Sequence, residues 1–274
     1  MNTYLIIGQG DIGLPVALRL AAQGHRVSTV ARTPKHYPTD AITFWQKDAL
    51  DLTRQELEPF SHIAIIITPT THPDRVQAYK DSYLAVCQHI ANNKSPNNLK
   101  QLLFVSSTSV YGENAGESID EHTPVCPNDT TASILHQAEQ TLQDAFGDKC
   151  TIVRPSGIYG KARTRMIRLA QSAHQDGVPS SHFTNRIMDT DLVAVLVQVM
   201  QLTDVKAVYL ATDFEPVPSA KVMTFICQLL ACPLPKVVQS PPTGKKITAN
   251  IERDWLSFDT YQKGYAHILT QNLE

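Results

Sequence analysis

The stretch Tyr4-Leu5-Ile6-Ile7-Gly8-Gln9-Gly10-Asp11-Ile12-Gly13 decides the fold, because an apolar run leads directly into three spaced glycines. The apolar run predicts a buried strand, and the apolar residues of 12–23 predict a helix that ends near Gly24. The pattern G-x-G-x-x-G between a strand and a helix is typical of a dinucleotide-binding turn. Its glycines permit the tight turn, the approach of a pyrophosphate and close helix packing. We call residues 8–13 the glycine loop and predict that it binds a cofactor through Gly8, Gly10, Asp11, Ile12 and Gly13.

The alternation of strand and helix continues along the first half of the chain. Apolar runs predict strands at 26–31, 42–45, 63–67, 102–105 and 151–153, with helices at 75–91 and 134–146. This order predicts the fold class α/β with a doubly wound parallel sheet, and the less regular second half predicts a small C-terminal lobe. We expect a dinucleotide-binding domain at 1–160, which also receives about 186–212. The smaller substrate-binding lobe is expected to consist mostly of 161–185 and 213–274.

Composition excludes several classes of protein. Of the 274 residues, 42% are hydrophobic and 18% are charged, which supports a folded core and excludes a disordered chain. The formal net charge of −2 argues against nucleic acid or an anionic membrane as partner, and no apolar run approaches the ~20 residues that span a bilayer. Five cysteines without a CxxC pair predict reduced thiols in the cytoplasm and no metal site. The composition therefore favours an intracellular enzyme or a binding protein, and a small-molecule substrate as partner is implied only by the family resemblance of the motifs given below.

The end of the second predicted strand bears on the choice of cofactor. An acidic residue at this position accepts hydrogen bonds from the ribose 2′-hydroxyl of NAD. The chain has Val30-Ala31-Arg32-Thr33 there, without an acid, and the guanidinium of Arg32 can pair with a 2′-phosphate. We therefore favour NADP over NAD. The alternatives are that the cofactor is NAD and Arg32 is merely solvated, or that the chain binds no dinucleotide.

Further motifs carry a family resemblance. The run Ser106-Ser107-Thr108-Ser109-Val110-Tyr111-Gly112 resembles the SSxxVYG segment of the extended short-chain dehydrogenases/reductases, the NAD-dependent epimerase/dehydratase family. Other segments resemble the family in the right order, so the likeness covers nearly the whole chain: Lys47-Asp48-Ala49, Thr68-Pro69, Arg154-Pro155-Ser156-Gly157-Ile158-Tyr159-Gly160, 185–192 and 245–255. The resemblance implies a Rossmann sheet and an NAD(P)-dependent oxidoreductase or epimerase/dehydratase. Its substrate would be a carbonyl compound, an alcohol or a nucleotide sugar.

The resemblance also implies roles for individual residues. Ser107 matches the family's catalytic Ser/Thr, which hydrogen-bonds the substrate oxygen; its hydroxyl could instead serve only a local turn. The cofactor-binding residues implied beyond the glycine loop and Arg32 are Asp48, Ala49, Thr68, Pro69, Ser106, Pro155, Gly157 and Ile158. The substrate-binding residues implied are Ser107, Thr108, Tyr159 and Met188. A homodimer is implied as well, since family members commonly pair through two helices of the first domain.

One departure from the family pattern makes the chain atypical. The family uses a Tyr-x-x-x-Lys pair on the helix after the serine strand, and the matching positions here are Thr131 and Leu135. Neither side chain can transfer the proton or lower a tyrosine pKa. Leu135 falls on an apolar stripe at helical spacing, which indicates packing. The leading hypothesis is an atypical oxidoreductase or epimerase, and the alternative is an inactive NADP-binding sensor or regulatory module.

Overall fold

The largest sheet has seven strands in a computed structural model that describes residues 2–94 and 98–270. From one edge to the other the strands run in the order β12-β7-β5-β4-β1-β2-β3. All neighbouring pairs from β7 to β3 are parallel, so the doubly wound parallel sheet expected from the sequence is confirmed. These strands are β1 (Thr3–Ile7), β2 (Arg26–Ala31), β3 (Ile42–Gln46), β4 (His62–Ile65), β5 (Gln101–Val105), β7 (Cys150–Pro155) and β12 (Val208–Ala211).

Helices connect these strands and follow them along the chain. The helix α1 (Gly13–Ala22) directly follows the glycine loop, and α5 (Thr130–Phe146) lies between β5 and β7 in the chain. The remaining helices are α2 (Arg54–Leu57), α3 (Arg75–Tyr79), α4 (Ala85–Asn92), α6 (Arg165–Asp176), α7 (Asp189–Val199), α8 (Ser219–Leu230) and α9 (Tyr261–Thr270). None of the helices in the described ranges is both long and apolar enough to cross a membrane.

Burial explains why the central strands read as continuous apolar runs. All five residues of β5 and all four of β4 are buried, as required for a parallel sheet that is covered on both faces. Leu102, Leu103 and Phe104 have no exposed surface. The apolar run of β4 continues beyond the strand to Ile67, although the last paired residue is Ile65. The run therefore locates the strand correctly and overestimates its length.

Two helices differ from the sequence expectation for local reasons. The expected helix 134–146 begins earlier, at Thr130, because the carboxylate of Asp129 accepts a hydrogen bond of 2.9 Å from the backbone N–H of Ala132. The expected helix 75–91 is continuous but contains a π-helical turn, Lys80–Leu84. Within that turn the hydroxyl of Ser82 donates a 2.6 Å hydrogen bond to the Ala78 carbonyl.

The chain divides into two compact units. Unit 1 comprises Met1–Gly112, Val125–Arg154 and Val193–Tyr209, and unit 2 comprises Glu113–Pro124, Pro155–Leu192 and Leu210–Glu274. These boundaries differ from those expected, because 113–124 and 155–160 group with unit 2 although they fall within 1–160. The reason is pairing: a strand from 113–124 is the edge of a small sheet that is otherwise built from later segments.

Unit 2 is held together by small sheets and an apolar cluster. A four-stranded sheet has the strand order β13-β10-β15-β6, and β11-β8 and β14-β9 form two separate two-stranded sheets. The cluster contains buried residues of α6, α8 and α9, together with Tyr159 and Met188. The strands are β6 (Ala115–Ile119), β8 (Gly157–Tyr159), β9 (Val178–Pro179), β10 (His182–Thr184), β11 (Arg186–Met188), β13 (Val217–Pro218), β14 (Val237–Val238) and β15 (Thr243–Ile247).

Candidate cofactor and active site

Two glycines of the glycine loop, Gly8 and Gly13, are in close contact with neighbouring backbone, whereas Gly10 is not. Gly8 has φ +97°, a conformation that favours glycine, and its N–H donates to the Val30 carbonyl at 3.0 Å. A Cβ at Gly13 would collide with the Gly8 carbonyl oxygen, so glycine there lets the helix start directly against the strand. A Cβ at Gly10 would instead meet open space. Gly10 is therefore the position at which a ligand can approach the main chain.

The first turn of α1 suits an anionic ligand. It contains no acidic residue and no side-chain cap within the described chain, so its backbone N–H groups are not capped by a side chain. Ile12 is buried at the N-cap, and Asp11 is exposed just before it. The loop therefore fits the pyrophosphate of a dinucleotide.

A glutamine that the sequence analysis did not single out holds the loop in place. Gln9 is only 4% exposed, and its side-chain amide donates to the carbonyl of Gly8 at 2.9 Å. Its Oε1 accepts a 2.8 Å hydrogen bond from the Tyr37 hydroxyl, which also lies 2.9 Å from Oγ1 of Thr29. The glycine loop is thus fastened to β2 and to the segment that follows it. No motif in the sequence signals this contact.

The other expected cofactor residues of unit 1 lie after the carboxyl ends of strands. Arg32 follows β2 and is exposed, while Thr68 and Pro69 follow β4. Asp48 follows β3 and caps a short 3-10 helix, because its carboxylate accepts from the Leu50 N–H at 3.0 Å. Since β1 to β4 are parallel, these ends share the edge of the sheet that carries the glycine loop. Ala49 lies within the 3-10 helix.

The serine run follows β5 at the same edge of the sheet. Ser106 is buried, and its N–H donates to the Val153 carbonyl at 2.8 Å. Ser107 is half-buried, and its Oγ accepts a 3.1 Å hydrogen bond from the N–H of Ser109, which caps the 3-10 helix Thr108–Val110. The local turn role of Ser107 is therefore confirmed. A serine oxygen that accepts can also donate its own proton, so this role leaves the hydroxyl proton for a substrate.

A buried charge network lies behind the serine run. Glu139 on α5 has no exposed surface and receives two hydrogen bonds from Arg154, at 3.0 Å and 2.6 Å. The hydroxyl of Ser106 donates to the same carboxylate at 2.5 Å. The remaining guanidinium nitrogen of Arg154, Nη1, donates to the Tyr111 hydroxyl at 2.6 Å. The guanidinium carbon lies 4.9 Å from the centre of the Tyr111 ring. The network ties β5, the serine run, α5 and β7 together.

The network also sets the ionisation of its members. Burial raises the pKa of Glu139, but hydrogen bonds from His136, Arg154 and Ser106 and the Arg154 charge outweigh it, so the pKa lies below its ordinary value. Burial lowers the pKa of Arg154, and the Glu139 carboxylate reverses this effect and raises it. Both groups are therefore charged at neutral pH. Their role is to hold Ser106, the neighbour of Ser107.

The helix α5 contains Thr131 and Leu135, the positions predicted from the sequence to match the family's Tyr-x-x-x-Lys pair. Leu135 is 1% exposed, so its interpretation as a packing residue is confirmed. Thr131 lies at the start of the helix, and its hydroxyl donates to the Asp129 carboxylate at 2.6 Å. The sequence of α5, TTASILHQAEQTLQDAF, contains neither Tyr nor Lys.

The expected site residues of unit 2 belong to a paired strand and a core. Gly157 and Ile158 lie on β8, which pairs with β11, and the buried Pro155 precedes it at the end of β7. Tyr159 and Met188 are each 4% exposed and belong to the apolar cluster. Tyr159 stacks on Tyr265 with ring centres 4.7 Å apart. Packing therefore accounts for both side chains, and their contact with a substrate stays a prediction.

Unit 2 also contains a buried ionisable group that the sequence analysis missed. Asp213 is 1% exposed, its N–H donates to the Arg186 carbonyl at 2.7 Å, and its carboxylate lies 4.0 Å from the Arg186 guanidinium. Burial raises its pKa to about 7, although the Arg186 charge opposes this shift. Burial also raises the pKa of the Tyr159 phenol, so Tyr159 is unsuited to proton transfer near neutral pH.

Comparison with known proteins identifies the family. The model of the NAD dependent epimerase/dehydratase family matches residues 4–195, which include the glycine loop, the serine run and the Arg154–Tyr159 segment. The chain belongs to this family. The recognition made from the motifs is thereby confirmed, and the family is one of NAD-dependent enzymes.

Individual relatives agree with the family assignment. The chain is 26% identical over 214 residues to protein YeeZ of Escherichia coli K12, covering 73% of this chain and 74% of that one. A solved structure assigned to the NAD-dependent epimerases/dehydratases, from Methylobacillus flagellatus, has 27% identity and a TM-score of 0.80, with 100% of this chain and 99% of that chain covered. UDP-glucuronic acid 4-epimerase from Bacillus cereus, solved with NAD, shares the fold with a TM-score of 0.77 at 14% identity, over 99% and 100% of the two chains.

No metal site is evident in the described part of this family member. Within residues 2–94 and 98–270, no group of three or more His, Cys, Asp or Glu side chains is arranged to hold a metal ion. Unit 1 contains the hydroxyl groups of the serine run, the Glu139–Arg154 ion pair and the glycine loop.

Proposed function

We propose that this chain is an atypical NADP-binding oxidoreductase of the epimerase/dehydratase family that acts on a carbonyl, alcohol or nucleotide-sugar substrate. The observation that carries the proposal is the glycine loop. Side chains at Gly8 and Gly13 would collide with backbone, a side chain at Gly10 would meet open space, and the helix that follows has no side-chain cap. When bound, the cofactor would supply hydride transfer at its nicotinamide ring. The protein's own contribution is to bind, to orient and to donate hydrogen bonds.

The N–H of Leu14 donates to the Gly10 carbonyl and Pro15 has no N–H, so the N–H groups of Ile12 and Gly13 would hold the pyrophosphate. The absence of an acid in the first turn of α1 supports this assignment. Gln9 would keep the loop in its binding conformation through the Tyr37 hydroxyl. Asp48, Thr68 and Pro69 would line the rest of the cofactor site in unit 1. Pro155, Gly157 and Ile158 are proposed from the family resemblance to contact the cofactor as well.

The preference for NADP rests on Arg32. It is exposed after β2, and no acidic residue occurs between Arg26 and Pro38 to accept hydrogen bonds from a ribose 2′-hydroxyl. A charge-assisted hydrogen bond to phosphate contributes about 1.5–3 kcal/mol. We therefore expect Arg32→Ala to weaken NADP binding by about 10-fold or more and to leave NAD binding nearly unchanged.

Titration calorimetry with both cofactors measures this difference. The matched control is Arg26→Ala, which removes an exposed arginine from the opposite end of the same strand. Equal losses of NAD and NADP affinity in Arg32→Ala would contradict the assignment of the 2′-phosphate. No binding of either cofactor to the unmodified chain would contradict the glycine-loop proposal itself.

Ser107 is the proposed catalytic residue. Its oxygen is fixed by the N–H of Ser109, and its proton can be donated to a substrate oxygen, which becomes more basic as an alcohol forms from a carbonyl. We expect Ser107→Ala to lower turnover by about 10²-fold or more, and Ser107→Thr to restore it. Ser109→Ala is the control, because it removes a neighbouring hydroxyl and retains the N–H that fixes Ser107.

Turnover is measured as the change in reduced cofactor with a panel of carbonyl compounds and alcohols, and as product formation by chromatography with nucleotide sugars, because an epimerase or a dehydratase regenerates its cofactor within the catalytic cycle. Equal activity of Ser107→Ala and Ser109→Ala would show that the Ser107 hydroxyl acts only in its turn.

The second candidate is a non-catalytic cofactor sensor. It is favoured by α5, where the buried Leu135 and the cap-bonded Thr131 occupy the positions of the family's proton-transfer pair. A positioned acid–base group contributes about 10²–10⁴-fold to a rate, so its loss can leave binding without useful turnover. Cofactor binding without turnover on any substrate of the panel would support this candidate, and serine-dependent turnover would exclude it.

A further inference from the structure

The helix α8 ends in a backbone motif that places two cysteines side by side. The N–H of Cys232 donates to the Cys227 carbonyl at 3.1 Å, and the N–H of Ala231 donates to the Gln228 carbonyl at 3.4 Å. Ala231 between them is left-handed, with φ 50°. These are the two hydrogen bonds of a Schellman motif, which brings its first and last residues close together and is frequently accompanied by a contact between their side chains. That contact is apolar in most helices, and here both residues are cysteines.

The two thiols are in contact but differ in accessibility. Cys227 is fully buried, and its thiol donates to the Ala170 carbonyl at 3.3 Å. Cys232 is half-exposed. Burial, reinforced by the neighbouring Cys232 thiol, raises the pKa of the Cys227 thiol to about 11. An oxidant from solvent therefore reaches Cys232, while Cys227 stays protected and adjacent.

The remaining cysteines lack this combination of contact and access. Cys87 and Cys150 are buried in unit 1, and burial raises the pKa of both thiols, that of Cys150 to about 12. Cys126 is exposed and lies outside the helices and strands. It serves as an internal comparison for a solvent-accessible thiol.

We propose that Cys227 and Cys232 form an oxidisable dithiol that closes reversibly into an intrachain disulfide on exposure to a peroxide. The Cys232 thiol loses its proton and the resulting thiolate attacks one peroxide oxygen; the O–O bond breaks to give the Cys232 sulfenic acid and a hydroxide ion, which takes up that proton as the first water. The Cys227 sulfur then attacks the sulfenic sulfur, the S–O bond breaks and a second water leaves with the remaining thiol proton. Two thiols are oxidised to one disulfide, and one hydrogen peroxide is reduced to two waters.

The sequence allows a direct test, because trypsin releases both cysteines in one peptide. Cleavage after Lys221 and Lys236 gives VMTFICQLLACPLPK, which contains no other cysteine. The full chain is treated with excess hydrogen peroxide, labelled with N-ethylmaleimide in urea, digested and analysed by mass spectrometry. We expect the peptide to carry no label and to be lighter by two hydrogen atoms than the reduced peptide. Treatment with dithiothreitol should restore two labels.

Variants separate the pair from general thiol oxidation. Cys126→Ser should leave disulfide formation unchanged, whereas Cys232→Ser should leave Cys227 labelled after peroxide treatment. Two labels on the wild-type peptide under conditions in which Cys126 loses its label would overturn the proposal. A disulfide from Cys232 to another cysteine or to a second molecule would overturn it equally. The test does not depend on cofactor binding or turnover.

Discussion

Glu139 shows at the scale of one residue how a buried charge fixes the candidate site. Its carboxylate accepts hydrogen bonds from Arg154 and Ser106 and has no contact with solvent. Removal of one partner from a buried ion pair leaves the other charge uncompensated, at a cost of about 3–5 kcal/mol. We therefore expect Glu139→Gln to lower the free energy of unfolding by that amount, measured by urea denaturation.

The matched control is Glu56→Gln, because Glu56 pairs with Lys47 at 2.7 Å while both side chains remain partly exposed. Exposed pairs contribute at most about 1 kcal/mol. Similar small losses in both variants would show that Arg154 finds another partner or becomes hydrated when Glu139 is neutral.

Sequence patterns identified some residues of the site but not their partners. The family motif locates Ser106 and Ser107, and the apolar stripe of α5 correctly assigns Leu135 to packing. The partnership of Glu139 with Arg154 and that of Gln9 with Tyr37 join residues 15 and 28 positions apart. Contacts of this kind depend on the three-dimensional packing of elements and have no local signature in a single sequence.

At the scale of the element, the junction of β1 and α1 depends on two glycines for different reasons. A Cβ at Gly13 would strike the Gly8 carbonyl oxygen, whereas a Cβ at Gly10 would meet nothing. We expect Gly13→Ala to lower the melting temperature of the cofactor-free chain, because α1 must shift from β1. Gly10→Ala should retain that melting temperature and lose the rise caused by cofactor, since its methyl group occupies the space left for a pyrophosphate.

Differential scanning fluorimetry with and without NADP measures both effects. A cofactor at about 100 times its dissociation constant adds about 2.7 kcal/mol of stability, which corresponds to several degrees. A full cofactor-induced rise in Gly10→Ala would show that the pyrophosphate does not approach the chain at Gly10.

Apolar patterns in the sequence predicted the strands and helices in which burial of apolar side chains determines the structure. β2 spans the expected residues 26–31, within which Val27 and Val30 are buried. The π-helical turn at Lys80–Leu84 and the early start of α5 depend on single polar groups, Ser82 and Asp129. Hydropathy patterns are insensitive to such groups, which explains these differences.

At the scale of the whole molecule, the parallel arrangement of the strands was predictable but the division into units was not. The α/β alternation requires parallel strands, whereas the assignment of 113–124 to unit 2 depends on the pairing of β6 with β15, more than 100 residues later. Pairing over such a distance is determined by tertiary structure alone.

The pH dependence of stability is also a property of the whole chain, because groups with opposite shifts contribute to it. Carboxylates with lowered pKa values, such as Glu139 and Asp259, contribute stability that is lost as the pH falls through those values. Asp213 contributes to the pH dependence of stability with the opposite sign, because its pKa is raised. Its pKa is raised to about 7 by burial, which the Arg186 charge opposes and Glu215 and Asp259 reinforce.

Between the unfolded pKa of about 3.9 and the folded value of about 7, the folded chain binds the Asp213 proton and the unfolded chain does not. The stabilisation from this proton is fully present below the unfolded pKa of about 3.9. It decreases steadily as the pH rises, and it is lost once the pH has passed the folded pKa of about 7. Asp213→Asn cannot lose that proton, so its stability relative to wild type should increase by up to about 1.4 kcal/mol per pH unit between pH 5 and 7. Urea unfolding at pH 5, 6, 7 and 8 measures this difference.

The matched control is Asp259→Asn, which should show a constant difference from wild type between pH 5 and 8, because Asp259 ionises below this range. A constant difference for Asp213→Asn would mean that Asp213 is charged at pH 5 and that Arg186 compensates its burial.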